Sequence, residues 1–514
     1  MANKRYLLAA WLALGMLAGS GRAATAEDLR LVEAVKRGQV DVVRALIRQK
    51  IDVNAPARDG ATPLHWAAET ASVEIASLLT AAGADANATN DFGVTPLSLA
   101  CKNGNAALVT LLLRAGARPN TAVRTGETPL MTAARTGRLE VLTALLEAGA
   151  DAKVKEPSAG QTALMWAAAE GHTEIVRALI ARGANVREGS KRSFTPLLFA
   201  ARNGDIETTR VLLDAGVDVN EASRDGTTAL GIATIRSQTA YARFLLERGA
   251  NPNKGPGFTP LHWVVGDWSV QLAGEKTRVR PEGTEYDRLL PLQGQARLDY
   301  AEMLLSFGAD VNARATSTPR ASVGTGRAPA AGTSASTVRQ EKLAGATPFF
   351  MAAQIADLSM MRFLVGHGAQ PLLRTERNVS PLMVAAGVDA DTYIGFTLVA
   401  ERDAVEAIKL CLELGDDVNT VSTYGENALH GAGYRGVAGS NQIAQLLLDR
   451  GINVNLVNKR GWSPVTLAEG IYSNGSNSRN PELERLLLAH GAKPSPPGIE
   501  RDAYAVIVEP TRDR

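Results

Sequence analysis

The sequence predicts an all-α solenoid of about twelve helix pairs stacked in a curved array. Three observations carry that reading. A helix-starting threonine returns at Thr62, Thr95, Thr128, Thr162, Thr195 and Thr228, at intervals of 33, 33, 34, 33 and 33 residues. Each interval holds two short apolar-periodic segments, the second always ended by a glycine and the first in every interval but Thr62–Thr95. Neither segment can stand alone, because isolated helices shorter than about 12–15 residues are marginal in water. Neighbouring units must therefore bury each other's apolar flanks.

The stretch from Gly126 to Val154 justifies each element in turn. Thr128 is an N-cap whose hydroxyl can accept from an orphan amide of the first turn. Pro129 follows, where a missing N–H costs nothing. The first helix carries Leu130, Met131, Ala133 and Ala134, and Gly137 allows the left-handed turn that ends it. A second helix carries Leu139, Val141, Leu142, Leu145 and Leu146, and Gly149 closes it before the extended turn at Ala150-Asp151.

The motifs Thr62-Pro63-Leu64-His65-Trp66-Ala67-Ala68 and Gly83-Ala84-Asp85-Ala86-Asn87 resemble those of the ankyrin repeat. Thr259-Pro260-Leu261-His262 and Gly308-Ala309-Asp310-Val311-Asn312 do so again. The resemblance covers nearly all of the chain after its first residues. Further units start near Thr259, Thr347, Ser380, Asn427 and Ser463. It implies paired antiparallel helices, a β-hairpin-like turn projecting from each junction, and a binding surface rather than a catalytic one. It also implies that the imidazoles of His65, His262 and His430 bond the motif threonine and backbone, less securely at His430, where Asn427 replaces the threonine.

The expected organisation is a signal peptide over 1–23, a capping repeat over 27–59, and repeats two to eight over 60–313. A low-complexity loop over 314–344, repeats nine to twelve over 345–494 and a tail over 495–514 complete it. Lys4 and Arg5 followed by the apolar run Leu7–Leu17 read as an export signal, too short to span a membrane. Ser20 stands where a lipoprotein would carry its lipidated cysteine. The expectation is a periplasmic or secreted protein, bacterial in style, with a retained signal anchor as the alternative. No later run of apolar residues is long enough for a membrane span.

The whole chain carries 55 basic and 53 acidic residues; without Lys4, Arg5 and Arg22 the count is 52 against 53. That balance argues against nucleic acid as a general partner. Cys101 and Cys411 lie seven units apart, at roughly 8–10 Å per unit. They cannot bridge, and both read as buried hydrophobes.

The regular spacing fails after about Gly257. Between the threonine-type start and the glycine that ends the second helix, a regular unit has 21 residues, as from Thr95 to Gly116. Units eight, ten, eleven and twelve exceed this by 28, 14, 3 and 7, in each case between the two helices. The same loop in successive units falls on one edge of a solenoid. The insertion at about 267–295 supplies Trp268, Arg278, Arg280 and Tyr286, and the next supplies Tyr393 and Phe396. Tyr434 and Tyr472 come from the last two. Aromatics and arginines are typical of interface hot spots, so these residues are candidate partner contacts, unless the insertions only pack on one another. The segment from about Ala315 to Gln340 is rich in Ser, Thr, Ala, Gly and Pro and reads as a disordered loop, or as a hinge between eight and four units.

Hairpin-tip residues Arg58, Arg124, Lys191, Arg192, Arg224 and Arg377 lean basic, and an acidic protein segment would suit them. The six histidines lack metal-ligand spacing, and no catalytic, cofactor or metal residue is expected. Gly431-Ala432-Gly433-Tyr434-Arg435-Gly436 matches a dinucleotide-binding pattern but falls at the end of a first helix, where it more readily loosens that helix. Trp66, Trp166 and Trp263 share one repeat position and read as packing between first helices rather than a glycan or base ladder. The terminal Tyr504–Val508 reads as extended, folding back over the last unit. The sequence thus points to a monomeric, non-enzymatic protein-interaction scaffold; the alternative is a ligand-binding protein or hydrolase with its site in the inserted loops. Mass spectrometry of the exported protein should find a mature N-terminus just after Ala23 or Ala26; a mass retaining residues 1–20 would contradict the export signal.

Overall fold

A computed structural model describes residues 26–266, 292–316, 343–388, 399–435, 440–470, 472–473, 476–477 and 479–499. The chain divides into two compact units, residues 1–185 and 186–514. The described residues of the first hold five helix pairs: α1 (Ala26–Lys36) with α2 (Val40–Arg48), α3 (Pro63–Glu69) with α4 (Val73–Ala81), α5 (Pro96–Asn103) with α6 (Ala106–Arg114), α7 (Pro129–Thr136) with α8 (Leu139–Glu147), and α9 (Ala163–Glu170) with α10 (Thr173–Ala181). Those of the second hold seven. These are α11 (Pro196–Asn203) with α12 (Ile206–Asp214), α13 (Ala229–Ile235) with α14 (Thr239–Glu247), α15 (Pro260–Val265) with α16 (Gly294–Ser306), and α17 (Pro348–Gln354) with α18 (Leu358–Gly366). The last three are α19 (Pro381–Ala386) with α20 (Glu401–Glu413), α21 (Ala428–Tyr434) with α22 (Asn441–Asp449), and α23 (Pro464–Glu469) with α24 (Pro481–Ala489).

Within each compact unit first helices pack on first helices, and second helices pack on second from α2 to α10 and from α18 to α24. The caps are those the motif demands. Thr95 Oγ accepts from the Ser98 amide at 3.1 Å and Thr128 Oγ from Met131 at 3.3 Å. Leu64, Leu97, Leu130 and Leu164 are fully or almost fully buried at one repeat position, as are Leu79, Leu112, Leu145 and Leu179 at another. The core of these pairs is thus a row of equivalent leucines, and buried Phe349 and Val465 take the first-helix position in α17 and α23.

A second row ties successive units through asparagine. Asn87 Nδ2 donates to the carbonyl of Gly116 at 2.8 Å, while its Oδ1 accepts from the Arg118 amide at 2.8 Å. Asn120 makes the same two bonds to Gly149 and Asp151, at 3.1 and 2.8 Å. In the second compact unit Asn220, Asn253, Asn312, Asn419 and Asn455 repeat them.

The histidines are structural. His65 Nε2 donates to the carbonyl of Val94 at 2.9 Å, in the next unit, and its Nδ1 accepts from the Thr62 amide at 3.0 Å. His262 and His430 reach Ala346 and Trp462 in the same way, at 3.1 and 3.2 Å. The bond the sequence left less secure is made: the Asn427 amide donates to His430 Nδ1 at 3.3 Å, and Asn427 Oδ1 accepts from the His430 amide at 3.4 Å. Cys101 and Cys411 are both buried free thiols, and burial pushes Cys101 up to about 12.

The extra residues do fall between first and second helices. They are not all loop, however. α16 and α20 have 13 residues each, against 9 in α6 or α8. In the last pair, Tyr472–Ser473 and Ser476–Asn477 form an antiparallel two-residue ladder. A second correction concerns Gly431 and Gly433. α21 runs unbroken to Tyr434, so these glycines do not loosen it. A Cβ on Gly431 would meet the Val388 amide at 2.6 Å, and one on Gly433 would meet Leu467 Cβ at 2.6 Å. They admit close approach of the neighbouring first helices. At the end of the chain Ile499 packs against Trp462 and Leu467; the terminal Tyr504–Val508 lies outside the described residues.

Burial depresses His65, and lowers His262 and His430 to about 4. These imidazoles are neutral in the fold, and their Nδ1 atoms must stay acceptors. The unfolded chain, near the ordinary value of about 6.5, takes up protons first as pH falls. Their contribution to stability is complete above about pH 6.5 and is lost as pH falls toward 4. Chemical denaturation should therefore give a midpoint that is flat from pH 8 to 7 and declines between pH 6.5 and 5, less steeply in His262→Gln. A midpoint constant down to pH 5 would contradict this.

Candidate interaction surface

Each hairpin tip is closed locally. In one, Ser422 donates its amide to Glu426 O at 2.7 Å and Gly425 to Ser422 O at 2.9 Å. The residue after the tip pair takes a positive φ, at Gly60, Gly93 and Gly126 in the first compact unit and at Ser193, Gly226, Asn378, Gly425 and Gly461 in the second. Neighbouring tips are then joined backbone to backbone. Asp91 N donates to Asp59 O at 3.0 Å, Arg124 N to Phe92 O at 3.2 Å, Arg224 N to Arg192 O at 3.4 Å and Lys459 N to Tyr424 O at 2.9 Å. Tip side chains therefore project from backbone-bonded hairpins, in one run from Asp59 to Arg124 in the first compact unit and in two runs, Arg192 to Arg224 and Ala344 to Lys459, in the second.

The charge on that edge differs between the two. Tips of the first unit carry Arg58 and Arg124 against Asp59 and Asp91. The described tips of the second carry Lys191, Arg192, Arg224, Arg377, Lys459 and Arg460 against Asp225 and Glu376. All six basic residues but the half-buried Arg377 are exposed.

The bases of the insertions form another row. Arg297 donates Nε to the carbonyl of Val264 at 2.6 Å and pairs with Asp357 at 2.8 Å, so it ties α15, α16 and α18. Arg435 donates to the Val399 carbonyl, and Glu401 Oε1 accepts from the Gln442 amide at 2.6 Å. Asn480 Nδ2 donates to Ser440 Oγ at 3.0 Å, and Asn441 to Glu482 at 2.8 Å. The flanks of the last three insertions are thus linked unit to unit.

Residues 24–90, 74–156 and 149–223 match the family "Ankyrin repeats (3 copies)". The helix pairs, caps and asparagine bonds of those residues recur to the end of α24.

The chain is an ankyrin-repeat protein.

It is similar to the putative ankyrin repeat protein YahD of Escherichia coli (strain K12), 31% identical over 99 residues, 19% of this chain and 47% of that protein. The chain thus spans about half the length of this curated relative. It is also similar to the human ASB11 ankyrin repeat domain, at 30% identity and a TM-score of 0.40 over 43% of this chain and 98% of that one.

The structure brings Lys191, Arg192 and Arg224 together on adjoining ankyrin tips. Trp268, Arg278, Arg280, Tyr286, Tyr393 and Phe396 lie outside the described residues. The backbone of Tyr472 is in the short ladder, and its side chain is outside the description. Tyr434 is not an insertion residue but the last residue of α21. Its ring packs against Trp462 and Leu467, and its hydroxyl donates to Glu426 at 2.5 Å, so it joins the last two repeats. Trp66 and Trp166 are half-buried, with the Lys36 ammonium 4.2 Å from one ring centroid and the Arg135 guanidinium 5.3 Å from the other. Among the described residues no three His, Cys, Asp or Glu side chains are grouped as metal ligands, and no helix is long and apolar enough to cross a membrane.

Sequence reasoning missed Tyr424, Lys459 and Arg460. Tyr424 and Arg460 occupy the same tip offset as Arg377, one residue before the positive-φ position. Counting back from that residue in every repeat would have found them.

Proposed function

We propose that this protein is an exported, non-enzymatic scaffold that holds a protein partner along the hairpin tips of its second compact unit. Ankyrin repeats are generally protein-interaction modules and typically carry no catalysis. The observation that supports this placement is the basic excess on those tips, presented from a backbone-bonded edge. Electrostatic complementarity of that kind steers encounter and selects partners. The destination, periplasm or exterior, follows from the basic start, the apolar run Leu7–Leu17 and the small residues near Ala23.

The linked bases of the insertions favour one second reading: a ligand-binding or hydrolytic site on the inserted edge, where Trp268, Arg278, Arg280, Tyr286, Tyr393, Phe396 and Tyr472 concentrate. A pulldown from the exported fraction, run beside hydrolase assays, separates the two. The scaffold reading predicts a stable co-purifying protein that is lost from the triple variant Lys191→Glu, Arg192→Glu, Arg224→Glu, with helicity unchanged by circular dichroism. Capture lost instead on deleting 268–295 would move the site to the inserted edge. Turnover without a stable partner would replace the scaffold reading with the enzymatic one.

A further inference from the structure

We infer that the last three hairpin tips form a recognition site for an extended acidic polypeptide segment whose carboxylates recur about every third residue. This rests on the reading that the tips of the second compact unit hold the partner, and it names the chemistry of that partner.

The site centres on Tyr424. The Arg377 guanidinium carbon lies 4.1 Å from its ring centroid and the Lys459 ammonium 5.7 Å from it. The two cations come from the tips on either side, which the backbone holds in place. Thr423 N donates to Arg377 O at 2.8 Å and Lys459 N to Tyr424 O at 2.9 Å. Arg460 extends the row, its guanidinium 5.1 Å from the centroid of Trp462. Four basic or aromatic side chains on successive tips are therefore already stacked before any ligand arrives.

Two consequences follow. A ring face attracts a cation without neutralising it, and the one acid on these three tip pairs is the exposed Glu376. Long side chains ordered in advance lose less rotamer freedom on binding, which raises affinity for whatever matches them. The match is set by spacing. The two centroid distances place the Arg377 and Lys459 charges within about 10 Å of each other. A polyproline II segment has three residues per turn and rises about 3.1 Å per residue, so carboxylates at positions i and i+3 share one face about 9 Å apart, inside that limit. A single-stranded nucleic acid would instead need an open aromatic face for its bases, and the Arg377 guanidinium already lies 4.1 Å from the Tyr424 centroid.

The test uses the full chain and a fluorescein-labelled peptide with Glu at every third position between Gly and Ser, its Gln counterpart, and an oligothymidylate of similar length. Fluorescence polarisation at low salt should show the Glu peptide binding, weakening as salt rises, with the Gln peptide far weaker. Lys459→Glu, at an exposed position, should reduce affinity at least about tenfold, as removal of a close charge pair does. Tyr424→Leu should also weaken it, by releasing the two cations, while Arg243→Glu, at an exposed position on α14, should leave it nearly unchanged. Equal binding of the Glu and Gln peptides, indifference to Lys459→Glu, or tighter binding of the oligothymidylate would each overturn the inference. So would a Lys459→Glu chain that still captures the partner found by pulldown, and that result would leave the scaffold reading standing.

Discussion

The fold depends on a side-chain amide that bonds across the joint between repeats. The glycine ending each second helix takes a positive φ, as at Gly116 (86°), Gly149 (85°) and Gly249 (86°), and the asparagine of the preceding repeat donates to its carbonyl. The last carbonyls of a helix have no partner within it, so one residue both ends the helix and offers the acceptor that fixes its neighbour. The same asparagine accepts from the amide two residues beyond that glycine. Each joint is thereby held at both a donor and an acceptor, a geometry no apolar contact specifies. The pattern lapses where Lys153, Arg187 and Leu372 replace asparagine; Arg187 keeps half of it, donating to Gly216 O at 2.7 Å.

Registry at the joints determines what the tips can do. Hairpins held in step can bond backbone to backbone, and side chains on neighbouring tips then meet at fixed separations. Tyr424 receives Arg377 and Lys459 for that reason. The buried histidines act in the same direction, since each donates to a carbonyl in the following repeat and so couples helix starts to the hairpin next door. Function on this account resides in side chains of ordinary chemistry made specific by the regularity of their support.

Much of this was legible in the sequence. The threonine spacing located the helix pairs, and the excess lengths placed the insertions between first and second helices. Other features were not. Four of the added residues in each of units eight and ten lengthen α16 and α20, which spacing alone cannot distinguish from loop. Gly431 and Gly433 looked like flexible points because a single sequence does not show Val388 and Leu467 pressing on them. Tyr434 looked available because its partners, Glu426 and Trp462, belong to the turns on either side of its repeat. The unequal charge of the two sets of tips needed the division at residues 185 and 186, which no composition shift marks.

Hydrogen exchange on an Asn419→Ala chain tests the central claim most directly. Asn419 bonds Gly451 and Asn453, at 3.4 and 2.9 Å, and lies outside both the tips and the core. If asparagine bonds hold the tips in register, exchange should accelerate in the tip peptides 422–426 and 458–462, including the Lys459 amide, while α21 keeps its protection. Acceleration confined to the residues around Asn419, with both tips as protected as in the parent, would contradict the account.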